Sequence, residues 1–161
     1  MNVLKLFLLV AALGVGFGLQ AKDLKVNAKK SEVKWEAFKT TGSGHYGLVT
    51  IKEGTLTLAD NKIESATIFV EMNTLVNTDG KDGKPNDRLV GHLKGDDFFD
   101  VENHPTAKFV VTGSSEFENG EAKVFGRLTI RGKTHPINFI AKKDGNTFTA
   151  DLAVDRSLYG I

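Results

Sequence analysis

EAKVFGRLTIRGKTHPINFIAKKDGNTFTADLAVD, residues 121–155, decides how this chain folds. Val124, Gly126, Leu128 and Ile130 are offset by Lys123, Arg127, Thr129 and Arg131. Ile137, Phe139 and Ala141 alternate with Asn138, Ile140 and Lys142, and Phe148, Ala150, Leu152 and Val154 with Thr147, Thr149, Asp151 and Asp155. A period of two with one apolar face is the mark of a half-buried β-strand. Between these runs stand Gly132-Lys133 and Asp144-Gly145-Asn146, whose glycines and asparagine tolerate the positive φ of tight hairpin turns. Three strands joined by two hairpins make an antiparallel meander.

The same pattern extends toward the N-terminus. Val33, Trp35 and Ala37 form one alternating face, Leu56 and Leu58 another, and Ala66, Ile68, Val70 and Met72 a third, with Phe69 on the opposite side of that run. Asp60-Asn61 and Asn119-Gly120 supply further compact turns. Strands of this kind must stack as two sheets or close on themselves, and closure removes exposed edges. The expected fold is all-β, an antiparallel up-and-down barrel of about eight strands, with a sandwich as the second choice.

One segment breaks the meander, from Asn73 to Pro105. Asn86 or Asp87 can cap a short helix carrying Leu89, Val90 and Leu93, and the helical insertion is placed around residues 86–100. After it come adjacent phenylalanines, Phe98 and Phe99, among Asp96, Asp97, Asp100 and Glu102. Two large aromatics in an acidic turn call for burial, so this loop is expected to pack on the barrel as a lid.

Residues 1–21 read as a different polymer. Lys5 gives a positive start, the stretch from Leu6 to Leu19 is apolar, and Leu19-Gln20-Ala21 offers a small residue for cleavage. That is the layout of a secretory signal peptide. The apolar run, about 14 residues, is short of the roughly 20 needed to span a bilayer, and a retained anchor is the competing reading. The remainder, 22–161, is one domain. Removing the leader takes Lys5 and no acid, so 21 Lys+Arg fall to 20 against 20 Asp+Glu. A neutral chain lacks the basic footprint that nucleic acid requires. With no cysteine there is neither a disulfide nor a lipidated N-terminus.

Several chemical motifs fail on context. Gly42-Ser43-Gly44-His45-Tyr46-Gly47 spells G-x-G-x-x-G, but Leu48-Val49-Thr50-Ile51 continues as strand, where the dinucleotide fingerprint needs a helix. In the Asp79–Asp87 loop Lys81 stands at the third ligand position of a calcium loop and would repel the ion. His45, His92, His104 and His135 share no metal-ligand spacing, and no thiol or G-x-S-x-G serine is present. No catalytic residue, no metal and no enzymatic activity are expected.

His92-Leu93-Lys94, Asp97-Phe98-Phe99-Asp100-Val101 and Pro105-Thr106-Ala107 with Phe109 resemble the signature of the YceI-like family. Gly126 to Ile137 is similar to its second characteristic stretch, and Asp155-Arg156 with Tyr159-Gly160-Ile161 to its third. The resemblance implies an exported, lipocalin-like barrel that holds a polyisoprenoid, an isoprenoid quinone or a fatty-acid derivative as ligand, with no other cofactor. Two departures stand out. Family members continue beyond the Tyr159-Gly160-Ile161 position into another strand, so the last barrel strand is expected to be missing, and His104 replaces a large aromatic.

A polyprenyl tail in water costs about 0.8 kcal/mol per methylene, so in an aqueous compartment it needs a protein shelter. The lining expected from the apolar faces is Trp35, Phe69, Phe109, Leu128, Ile130 and Phe139. Phe98 and Phe99 would flank the entrance with Leu89 and Leu93, and His92, Arg127 and Arg131 would meet a head group. Expected partners are the apolar lipid, a membrane touched transiently during loading, and a second copy in a homodimer, in the periplasm or outside the cell. The alternative is a secreted stress-response or interaction module with a filled barrel and no lipid cargo.

Overall fold

The computed structural model describes residues 3–13, 21–38, 44–80 and 86–161. Nine strands follow one another among the described residues: β1 (Val3–Leu13), β2 (Lys22–Val26), β3 (Glu32–Phe38), β4 (Gly44–Ala59), β5 (Lys62–Asn77), β6 (Thr106–Ser114), β7 (Glu121–Ile130), β8 (Lys133–Asp144) and β9 (Thr147–Asp155). From β3 to β9 each strand pairs antiparallel with the next, and β1 pairs with both β3 and β9. The wall is therefore a closed antiparallel barrel of eight strands with β2 as an extra strand, in line with the expected up-and-down meander.

β2 and β3 run in one line. Both oppose β4, Lys22–Lys25 facing Leu58–Thr55 and Val33–Phe38 facing Val49–Gly44. A 3-10 turn, Ala28–Lys30, breaks the line. Ser31 bridges that break: its hydroxyl accepts the Ala11 amide at 3.1 Å and donates to the Asn27 carbonyl at 2.8 Å. A side-chain oxygen here replaces the ladder bonds that the turn interrupts.

The wall position between β9 and β3 belongs to β1, which lies inside the segment that reads as an export signal. Its register runs Leu4↔Val154 to Val10↔Phe148 on one side and Leu4↔Ala37 to Leu9↔Glu32 on the other. Leu4, Leu6, Leu8, Val10 and Ala12 take the interior, while Lys5 and Phe7 face out. Fully burying a Leu or Val is worth roughly 1.5–3 kcal/mol, so an apolar run suits a wall strand as well as it suits a leader.

Two glycines let inward aromatics lie flat against the wall. A Cβ on Gly126 would stand 2.4 Å from the Val110 carbonyl oxygen and 3.0 Å from the Phe109 ring. A Cβ on Gly47 would stand 2.7 Å from Trp35, whose indole N–H donates to the Val76 carbonyl at 3.1 Å. Glycine under an aromatic on the adjacent strand compensates for its missing side chain with the neighbour's ring.

One end of the barrel is capped by α1 (Asp87–Lys94), the only α-helix among the described residues. Asn86 accepts the Leu89 amide at 3.1 Å, an N-cap as expected. Leu93 is buried, and the Leu93 carbonyl accepts the Phe99 amide at 3.0 Å, turning the chain so that Phe99 enters the core. No helix among the described residues is long and apolar enough to cross a membrane.

Gly126→Val should lower stability by about 2–3 kcal/mol, because the clash is with backbone and cannot relax through a rotamer. Gly91 sits in α1 with nothing within 4 Å of its Cβ direction. Gly91→Ala should therefore raise stability by about 0.5–1 kcal/mol through helix propensity. Urea unfolding of both variants checks the pair, and equal effects would contradict the packing argument.

Candidate functional site

Apolar side chains from every wall strand converge in the barrel interior. Trp35, Phe109, Leu128 and Ile130 point inward and are buried, and Phe139 points inward half-buried, its ring 5.5 Å from that of Phe109. Phe69 is placed differently from the lining role expected for it. It faces outward beneath the Lys108 ammonium, 5.4 Å from the ring centroid, and Ile68 takes the inside. Alternation already set Phe69 opposite Ile68; the size of the ring made it attractive, but the pleat decides direction.

The space left inside is small. A cavity of about 30 Å³ is bounded by Leu8, Val10, Leu56, Ile63, Ile68, Phe109, Val124, Phe139 and Phe148, among other apolar groups. It exposes no polar surface and is an apolar hollow with room for only about two water-sized probes. A ligand pocket ordinarily needs about 300–1,000 Å³. A second hollow, about 580 Å³, lies on the outer face over Lys5, Phe7, Lys34 and Glu36 and is open to solvent. It lies away from the convergent apolar side chains, on the wrong side of the wall for an apolar ligand.

The wall parts at one seam. β8 pairs with β9 only from Ala141↔Ala150 to Asp144↔Thr147. Between Lys133 and Ile140, β8 is held by β7 alone. Pro136, which has no N–H to give a ladder, stands in that one-sided stretch, where proline is tolerated. Ile137 and Phe139 remain half-buried there, across from buried Leu152 and Val154. The 3-10 turn Arg156–Tyr159 folds back over the upper part of the seam. Tyr159 is 2% exposed and meets His135 edge-on at 5.0 Å. Its hydroxyl donates to the Leu128 carbonyl at a long 3.4 Å, and burial pushes that hydroxyl up from its ordinary pKa. Sequence reasoning left Tyr159 out of the site because its burial follows from the turn that only the fold reveals.

The lid residues come together at the capped end. Phe98 packs edge-on against Phe99 at 5.1 Å and against His92 at 5.7 Å, and the Arg156 guanidinium lies 5.6 Å from its ring. Phe99 and Leu93 are buried; Leu89 packs partly buried against the core. His92 is exposed, 3.8 Å from Asp97. The two arginines part company. Arg131 donates to the Gly160 carbonyl at 2.7 Å and to the Asp96 carbonyl, tying the lid loop to the end of the chain. Arg127 is exposed on the outer face of β7, on the other side of the wall from the interior.

A polar knot fastens the insertion to β4. Buried Asn77 donates to the Tyr46 carbonyl at 3.0 Å and to Asp79, while His45 lies 3.1 Å from the Asp79 carboxylate. Burial pushes the Asp79 carboxyl up, but hydrogen bonds from Asn77 and His45 outweigh it and hold the group below its ordinary value. Residues 81–85 of the calcium-like loop, and Gly42 and Ser43 of the glycine motif, lie outside the described residues; Gly44–Gly47 open strand β4. Among the described residues no three His, Asp or Glu groups converge as a metal site.

A depressed folded pKa means that Asp79 contributes stability in full above the ordinary carboxylate range and loses it as pH falls through the folded value. Asp79→Asn should cost about 1 kcal/mol at neutral pH. The gap between variant and parent should close in acid. Urea unfolding across a pH series reads this out, and a gap that stays constant into acid contradicts it.

A model of the YceI-like domain matches residues 24–161. A UPF0312 protein of Shewanella denitrificans is 36% identical over 76 residues, 47% of this chain and 38% of its own length. A UPF0312 protein of Pseudomonas putida strain W619 is 29% identical over 145 residues, 84% of this chain and 72% of its own. The crystal structure of Burkholderia cenocepacia BcnA superposes with a TM-score of 0.52 at 16% identity, covering 97% of this chain and 81% of that one, a likeness of fold.

Proposed function

Because the chain belongs to the YceI-like domain family, we propose that it is a non-enzymatic binding protein for a long apolar ligand, a polyisoprenoid or isoprenoid quinone, held in the barrel interior. The observation that carries this reading is an interior lined throughout by apolar side chains and reached by a seam that backbone pairing leaves unlatched. A ligand of this kind needs no charged partner inside; it needs dry surface and a way in. The seam between β8 and β9 supplies the way in, with Ile137 and Phe139 as its apolar rim and Tyr159 as the side chain that must move. The head group would stay outside, near His92 at the capped end. The protein acts after export, in the periplasm or beyond the cell, and loads by brief contact with a membrane.

A filled barrel acting as an interaction module is the second reading, and the 30 Å³ void favours it. The carrier reading then requires the interior to widen on loading, by side-chain repacking or by movement of a wall strand.

Protein purified from its exporting host should release a polyprenyl lipid or quinone on organic extraction, identified by mass spectrometry. Tyr159→Ala should speed uptake of the same quinone in vitro several-fold while leaving the amount bound unchanged. No extracted lipid together with no uptake in vitro sinks the carrier reading and leaves the filled-barrel module.

A further inference from the structure

Resting on the carrier reading, we propose that β1 is an internal competitor for the ligand: while it occupies the wall, its side chains fill the space a lipid would take. Three observations meet here. The inner face of β1 places Leu4, Leu6, Leu8 and Val10 in the interior, and Leu8 and Val10 border the remaining void. β1 lies against β9, the strand whose other edge is the parted seam, unpaired beyond Ala150. And the segment has the composition of an export leader, so the same residues that close the barrel are those that processing would take away.

Release of β1 would leave Asp151–Asp155 of β9 without a ladder on either side, since β8 does not pair with them. The void, the volume of the departed leucines and the seam would then join into one groove between β3 and β8. An extended apolar chain is the occupant that such a groove fits, because it replaces the apolar contacts that β1 made. The form retaining β1 is closed to lipid, and the form without it is receptive. Lipid is thus kept out until β1 has left the wall.

The test uses the full chain, a decyl-tailed benzoquinone, and quenching of Trp35, the single tryptophan, which lies opposite Leu6 in the ladder. Leu8→Asp puts a charge into the dry interior and so drives β1 out. Because the chain has no cysteine, Phe7→Cys with Asp151→Cys, opposite each other in the β1–β9 register, gives one defined latch on the outer face. The expected result is uptake at least about tenfold tighter in Leu8→Asp than in the parent, as a larger competent fraction requires. Uptake should vanish when the oxidised latch is added and return on reduction. Where Leu8→Asp loses its sheet signal in circular dichroism, Val10→Asn on the same face replaces it. Equal uptake by Leu8→Asp with and without the closed latch would overturn this inference while the carrier reading stands. No uptake by any form overturns both, and a latch that fails to form by mass overturns the placement of β1.

Discussion

The two ladders made by β1 are what turn this sheet into a barrel. Strands β3 to β9 pair with their sequence neighbours and would stand without β1 as a curved sheet with β3 at one edge and β9 at the other. Unpaired edges carry rows of backbone N–H and C=O groups that seek partners, and closure satisfies both at once. Leu4 pairs across to Ala37 and Val154 together, so a single residue holds both sides. The inward leucines then complete a core that the other strands leave one side short.

Much of this was legible in the residues. The alternation carried β3, β7, β8 and β9 and parts of β4 and β5, the Gly-Asn turns carried the hairpins, and Asn86 with Leu93 carried the helix. The Phe98-Phe99 pair announced its own packing. Backbone geometry hid the rest. A leucine-rich run has the same composition whether it is a leader or a wall strand, so the place of β1 between β3 and β9 was not legible in it. β4 and β5 are longer and more irregular than alternation alone suggests, because register shifts between Leu48 and Thr50, and between Ile51 and Glu53, interrupt the period. Arg127 and Arg131 look equivalent in a string of letters. One sits on the outer pleat and the other at a turn with φ 50°, where its guanidinium reaches two carbonyls.

A filled interior and a carrier role are compatible only if the wall has a weak place, and it has one. β8 gives up its bonds to β9 over the stretch that contains Pro136, and a tyrosine stands where ladder bonds would be. A side chain is a softer closure than a ladder, since a rotamer change opens it without breaking sheet. The apolar rim explains why Ile137 and Phe139 stay half-buried although they point inward.

The placement of β1 also orders events in time. Apart from β5 and β6, which the helical insertion separates, each pair from β3 to β9 joins segments close in sequence, so most of the sheet can zip up hairpin by hairpin as the chain emerges. Closure is different: Val3 meets Asp155, and that contact spans nearly the whole polypeptide. It therefore forms last, after β9 has been made, although β1 can pair with β3 before then. Of all the pairings in the sheet, this closure carries the largest loop-closure cost.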